Sequence, residues 1–479
     1  MSRTPLFSRA ARPLVLTALA VALTGALALP QVAFASGFQL HEDDVQAMGR
    51  AYAGLTAAGH DCSVVANNPA AMGVLAGGCF QGDMTGINFS AKFSGSAHDA
   101  LGRLISGGNG GDAGTTLPVP ALYWAMQVGQ KWHVGVGFTV PFGFQTKYDS
   151  DWVGRYNAIE SKFQSLDVTL SASYDVTDNF TLGVSAIAQR TSAELSSAIN
   201  YNMVGIGMVQ QGVAAGLIPP AQAPALMAQF GTVVPPGSDG LARIKGSDWA
   251  MGWQVGALWK LSPNDRLAVD YRSKINHTIS GTANFTMPAN VTALLSSPSV
   301  APLLAASGGV PFQHTTGTAG FTTPAVLDIS YWHRAEHFGL GVELQRTQWS
   351  TFKQLRVNYA NPAQPATVEN FDWRNTWYAA VGGDWYVNNQ LTLRAGLAVD
   401  GTPTHVATRD PRVPDSTRKL LALGVGYQFS NQLSLNASYA HIFVGKAHVD
   451  HSTDATGDSI TGSYDDYGNL LGVSVQYTF

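Results

Sequence analysis

The stretch Asp248-Trp-Ala-Met-Gly-Trp-Gln-Val-Gly-Ala-Leu-Trp-Lys-Leu261 decides the fold. Its odd positions Trp249, Met251, Trp253, Val255, Ala257, Trp259 and Leu261 are apolar, while the even ones include Asp248, Gly252, Gln254, Gly256 and Lys260. A period of two marks a strand with one greasy face. The pattern recurs from Leu421 to Phe429, and again at Val473, Val475, Tyr477 and Phe479. In a soluble sandwich the second face would usually carry Lys, Glu and Arg. Here it is Gly, Ala, Ser, Thr and Gln, which suits a barrel with lipid outside and a filled or wet lumen inside.

Composition points the same way. Of 479 residues only 13% are charged, against ~25% in ordinary soluble chains. Interior apolar runs are broken by Gly, Pro, Asn or Gln, so a helical membrane bundle is not expected. The first 35 residues read as a secretory signal: Arg3, Arg9 and Arg12, then the uncharged run Leu14–Leu29, then the cleavage site Ala33-Phe34-Ala35. The mature chain is expected from Ser36. Without those three arginines, 25 basic residues face 32 acidic ones, which gives no electrostatic support for a nucleic-acid partner. Cys62 and Cys79 would reach an oxidising compartment. A disulfide is the expected state, and two free buried thiols are the alternative.

Short polar turns at 129–131, 177–179, 263–265, 335–336, 388–389 and 431–432 alternate with long connections, among them roughly 199–245 and 285–322. Outer-membrane barrels separate their periplasmic and extracellular rims in this way. The segments number fourteen, so the spacing predicts an all-β membrane protein, a fourteen-stranded antiparallel transmembrane barrel over residues 81–479. Trp124, Trp132, Trp249, Trp259, Trp332, Trp377 and Trp385 sit where interfacial girdles need aromatic rings.

Residues 36–80 do not alternate. They run Ser36-Gly-Phe-Gln-Leu-His, Met48-Gly-Arg-Ala-Tyr-Ala-Gly54 and Asn67-Asn-Pro-Ala-Ala-Met72. Together with Val140-Pro-Phe-Gly143, Tyr148-Asp-Ser-Asp-Trp-Val-Gly-Arg-Tyr156, Trp349-Ser-Thr-Phe352 and Pro411-Arg-Val-Pro-Asp-Ser-Thr-Arg418, this resembles the outer-membrane long-chain fatty acid transport protein family. The resemblance implies an N-terminal hatch plugging the lumen, ligand capture on extracellular loops, a lumenal pocket, and sideways exit at a kink in the third strand. It carries over a hatch motif, Asn68, Pro69 and Ala70, with Asn68 either bonding the ligand or capping a turn. It places Arg356 where the family has a lysine. A second basic position falls at Ser192 by ungapped matching, with Arg190 the nearest base; a rim arginine facing water is the other reading of Arg190. Cys62 and Cys79 bracket the hatch motif, so a bridge would tie hatch to first strand.

The residues speak to the same parts. No Asp, Glu, Lys or Arg occurs between Glu194 and Asp239, or between Lys274 and Asp328. Apolar loops of that size read as a ligand groove, with a cork over the barrel as the alternative. Pro141 and Gly143 interrupt the proposed strand Trp132–Thr146, and proline cannot donate to a ladder, so they are the candidate lateral gate. Three function classes follow: a channel for fatty acids or for uncharged aromatic hydrocarbons, an outer-membrane lipase, and a general porin. No nucleophile–base pair, P-loop or dinucleotide fingerprint supports an enzyme. His333-Arg-Ala-Glu-His337 fits a zinc-protease pattern but straddles a hairpin, and His448, Asp450, His451, Asp454 and Asp458 are irregularly spaced in a loop. No cofactor or metal site is therefore expected. The expected partners are a hydrophobic small molecule and outer-membrane lipid, for a monomer.

Overall fold

The computed structural model describes residues 37–479 apart from 60, 76, 299, 307–308 and 454–456. The signal sequence and Ser36 lie outside the described residues. Fourteen antiparallel strands close into a barrel: β1 Cys79–His98, β2 Thr116–Val128, β3 Trp132–Thr139 and Gly143–Lys147, β4 Glu160–Thr177, β5 Phe180–Asn200, β6 Asp239–Lys260 and β7 Asp265–Arg272 and Ile275–Thr286. They continue as β8 Thr315–Thr323 and Val326–Arg334, β9 Phe338–Thr347 and Gln354–Tyr359, and β10 Thr367–Asn370 and Thr376–Tyr386. The last four are β11 Leu391–Asp400, β12 Arg418–Gln428, β13 Leu433–Val444 and Ala447–Ser452, and β14 Ser459–Thr478. Closure pairs β1 with β14 from Cys79↔Thr478 to His98↔Ser459. Phe479 completes it by exchanging backbone hydrogen bonds with Gly78.

Alternation carries through from sequence to wall. On β6 Trp249, Met251, Trp253, Val255 and Trp259 are exposed, while Gln254 and Leu258 are buried inside. Rings near the short turns (Trp132, Trp259, Trp385) and near the outer end of the long piece of β10 (Trp377) are exposed, as is Trp249 midway along β6. Trp332 departs from the girdle expectation. It points inward, is fully buried, and lies under the Arg50 guanidinium at 5.1 Å.

The lumen is filled by the hatch, with short helices α1 Val45–Met48, α2 Leu55–Ala58 and α3 Val64–Asn67, then a 3-10 turn Pro69–Val74. The small inward residues make room for it. A Cβ on Gly396 of β11 would lie 2.0 Å from the Arg50 carbonyl oxygen, and one on Gly183 of β5 would lie 2.3 Å from the Ala70 nitrogen. Hatch polar groups reach the wall as well. Arg50 Nη1 stands 3.7 Å from Asp384 Oδ1, and Arg394 Nε stands 3.5 Å from the same oxygen while its Nη2 donates to Gln46 Oε1 at 2.6 Å. Cys62 and Cys79 are bridged, Cα to Cα 6.1 Å, which joins the hatch to the first residue of β1.

The two apolar connections are shorter than the sequence suggests, because the ladder between β5 and β6 runs on to Asn200↔Asp239 and β7 reaches Thr286. The connection after β5 forms α4 Tyr201–Ala214 and α5 Ala223–Val233; the one after β7 forms α6 Ala289–Leu295 and α7 Ala301–Ala306. Much of their apolar surface is spent on mutual packing, with Tyr201, Val234 and Val291 in one cluster beside Phe230 and Leu294. A depression of about 500 Å³ remains beside Met287, Leu295 and Val310.

Gly396→Val puts a branched side chain against the hatch backbone. It is expected to lower stability by ~1–3 kcal/mol through overpacking and to raise ion conductance in planar bilayers as the hatch is displaced. Unchanged conductance with a normally folded barrel would mean the hatch does not rest on this face.

Candidate lateral gate and lumenal cavity

The third strand breaks at Val140-Pro141-Phe142 and resumes at Gly143 against the same neighbour. Thr139 pairs with Asp167 and Gly143 with Gln164, so three residues of β3 stand opposite two of β4. That is a bulge rather than a strand end. On its other side β3 parts from β2: their ladder stops at Leu122↔Phe138, and only near its outer end does Lys147 N donate to the Ala113 carbonyl. Above that rung, β2 from Thr116 to Ala121 pairs only with β1. Two further prolines explain why the gap persists. Pro118 and Pro120 are two apart and so turn their missing donors to one side, while pairing with β1 runs unbroken past both. The edge facing the gap therefore has little to offer a neighbouring strand. These prolines were readable in the sequence, in the run Thr116-Leu-Pro-Val-Pro-Ala-Leu122, but only their position opposite the β3 break gives them meaning.

The start of the hatch fills the break. Gln39 bridges antiparallel to Phe142; Leu40 N donates to the Pro141 carbonyl and Gly143 N to the Phe38 carbonyl, both at 2.9 Å. Phe38 is the anchor. Seven aromatic rings surround it, from Trp349 at 4.7 Å to Phe352 at 6.4 Å between centroids. The Gly-Phe-Gln and Trp-Ser-Thr-Phe segments, far apart in sequence, thus meet in one cluster behind the gap.

A cavity of about 310 Å³ opens beside this segment. Its apolar wall includes Leu40, Leu117, Val140, Phe144, Phe163 and Val413, and its charged groups are Glu42, Lys162, Arg412, Asp415 and Arg418. Arg418 Nη2 donates to the Gly37 carbonyl at 2.6 Å and to Asp415 Oδ1 at 2.9 Å, holding the hatch start and the 401–417 connection together.

The residues expected to bind ligand fall elsewhere, and strand parity explains most of this. Arg190 is exposed on the outer face of β5, opposite Trp249, and Ser192 shares its parity; their neighbours Gln189 and Thr191 point inward and are buried. The base that faces the lumen there is Arg272, paired with Asp167, which also accepts from Gln189 at 2.8 Å. Arg356 is likewise exposed, its Nε donating to Asn358 Oδ1 at 3.1 Å, while the adjacent Val357 is buried. Asn68 is buried in the hatch. Its Oδ1 accepts from Ala70 N at 3.0 Å, capping the turn that starts at Pro69, and its Nδ2 donates to the Thr56 carbonyl at 3.0 Å. Of its two readings the geometry favours the cap. None of Arg190, Ser192, Arg356 or Asn68 lines the cavity; Pro141 and Gly143 stand at its edge, with Gly143 in the lining. His333 is the penultimate residue of β8, just before the expected hairpin, and its Nδ1 lies 2.8 Å from Oδ1 of Asp265, the first residue of the neighbouring β7.

Hatch acids add a proton-sensitive element. Burial, reinforced by Asp44 and Glu42, pushes the Asp43 carboxyl up to about 8; burial and Asp44 also raise Asp61. The folded hatch holds these protons more firmly than an unfolded segment would. The associated stability is therefore complete below the ordinary range of ~4 and is lost as pH rises through the raised values.

A closed barrel with a plugged lumen, an interrupted wall and an apolar cavity against the interruption is an outer-membrane transport channel. The family model described as Outer membrane protein transport protein (OMPP1/FadL/TodX) matches residues 26–479, and the chain belongs to that family. It is 24% identical over 450 residues to the Long-chain fatty acid transport protein of Escherichia coli O6:H1, covering 92% of each chain. Among solved structures, that of a Pseudomonas aeruginosa FadL homologue matches with a TM-score of 0.83 at 28% identity, over 93% of this chain and 100% of that one. The CymD monoaromatic hydrocarbon channel, 18% identical, shares the fold with a TM-score of 0.60, over 92% of this chain and 98% of that one. The protein resides in the Gram-negative outer membrane, in a family of transport channels rather than enzymes.

Two outcomes follow. Supplying donors along the gap with Pro118→Val, Pro120→Val and Pro141→Val is expected to abolish uptake of a hydrophobic substrate while the folded barrel keeps its heat-modifiable gel mobility; retained uptake contradicts a gate here. Channel openings in planar bilayers are expected to become more frequent as pH rises from ~6 to ~9, and Asp43→Asn should flatten that rise.

Proposed function

We propose that this channel carries long-chain fatty acids or closely similar amphiphiles passively across the outer membrane. They are captured on the helices α4 to α7, held in the cavity at the β3 break, and released sideways into the membrane between β2 and β3. One observation carries the reading: the cavity is walled by the very hatch segment, Phe38 to Leu40, that occupies the break in β3. A shift of that segment would join cavity to membrane without opening a water-filled pore.

The charge pattern favours an acid over a hydrocarbon. The cavity sets three bases, the exposed Lys162 with Arg412 and Arg418, against two acids, Glu42 and Asp415, on an apolar wall, and a desolvated carboxylate needs a basic partner. The tail supplies the driving force, at ~0.8 kcal/mol per methylene buried. Binding of about ten methylenes would thus give on the order of 8 kcal/mol before ordering costs. A channel for uncharged aromatic hydrocarbons is the second reading, supported by the fold shared with CymD and by the ring cluster around Phe38.

Uptake of radiolabelled oleate and toluene, in cells lacking other such channels, separates the two. Oleate is expected to enter and toluene to enter poorly. Lys162→Met and Arg418→Met should lower oleate uptake at least tenfold, about 1.4 kcal/mol, without lowering any toluene entry. Equal loss for both substrates would remove the carboxylate role.

A further inference from the structure

Away from the cavity, three side chains from three separate extracellular connections meet. Glu369 comes from the outer piece of β10, Asp410 from the 401–417 connection and His451 from the outer piece of β13; one donor atom of each lies within 4.8 Å of the other two. His451 Nε2 stands 4.0 Å from Glu369 Oε2.

The histidine is the independent sign that a ligand belongs here. Along Ala447–Ser452 buried and exposed residues alternate, which turns Ala447, Val449 and His451 inward and His448 and Asp450 outward. His451 is 5% exposed, and its Nε2 is a buried nitrogen without a hydrogen-bond partner. Native structures rarely leave such an atom unsatisfied. Asp410 is fixed beside it: its Oδ1 accepts from Arg412 N at 2.7 Å and from Arg412 Nη1 at 3.4 Å. Of the loop residues considered in the sequence, Asp454 lies outside the described residues, and Asp458 accepts from Asn200 at 3.3 Å. The grouping actually formed draws only His451 from that loop.

We propose that Glu369, Asp410 and His451 bind a borderline divalent transition-metal ion of the zinc class, with water completing the coordination. One imidazole nitrogen and two carboxylates match zinc's donor preferences, whereas calcium and magnesium favour all-oxygen sites. Tetrahedral zinc with bonds of ~2.1 Å needs donors roughly 3.4 Å apart, so the three side chains close by about an ångström on binding. The bound ion clasps three extracellular connections together. Asp410 is two residues from Arg412 and five from Asp415, both in the cavity wall, so the clasp restrains one side of the cavity.

The test is calorimetric titration of the purified, chelator-treated full chain in detergent with Zn²⁺. One equivalent is expected to bind at micromolar Kd or tighter, and both His451→Asn and Glu369→Gln should weaken it at least thirtyfold while heat-modifiable mobility is kept. Co²⁺ substitution should give tetrahedral visible absorption bands that His451→Asn removes. Absence of saturable binding, or binding unchanged in both variants, overturns the proposal; an ion pair between protonated His451 and Glu369 would give that result. Zn²⁺ binding does not depend on which substrate the channel carries, so failure here leaves the transport reading intact.

Discussion

Inside a bilayer no water is available to satisfy a backbone N–H or C=O, so a spanning sheet must close on itself. This barrel obeys that constraint with a continuous β1–β14 seam and relaxes it where β2 and β3 part above Leu122↔Phe138. Proline on both sides of the gap removes donors that would otherwise demand partners. At the β3 break, hatch residues 38–40 meet the Pro141 carbonyl and the Gly143 N–H, while Ser165 of β4 meets the N–H and carbonyl of Phe142. The wall is thus completed by a segment that is not a strand of the barrel.

That arrangement explains why the hatch is held so firmly elsewhere. The disulfide ties its middle, at Cys62, to β1; Arg50 and Arg394 share Asp384; wall glycines such as Gly396 let the hatch backbone touch the wall. Removing one partner of a buried charged pair costs ~3–5 kcal/mol, so wholesale expulsion of the hatch is an expensive route. A local shift at Phe38–Leu40 breaks none of those links and instead draws Phe38 out of its ring cluster. On the proposed route, substrate passage through the wall then needs no aqueous pore.

The barrel was legible because its rule is local: a period of two, small neutral inward residues and alternating turn lengths are all visible in Asp248–Leu261 and its kin. Pro141 was legible for the same reason, since a proline inside a strand has few interpretations. Arg190, Ser192 and Arg356 lie off the cavity, and matching motifs by sequence ignores the parity that puts them there. One residue of offset exchanges lumen for lipid face, which is why Gln189 rather than Arg190 joins the lumenal network. Pro118 and Pro120, the ring cluster around Phe38 and the meeting of Glu369, Asp410 and His451 depend on which strands become neighbours. No window of sequence contains that information.

The proposed sideways release requires residues 38–40 to leave the β3 break. Gln39 and Phe142 form a bridge flanked by two backbone hydrogen bonds, a geometry in which side chains lie closest and a disulfide can form. The direct test is oleate uptake by a Gln39→Cys, Phe142→Cys variant in a Cys62→Ala, Cys79→Ala background, before and after reduction. Uptake should be at background when the new bridge is oxidised and return on reduction. Uptake that proceeds with the bridge intact would show that substrate passes without moving this segment.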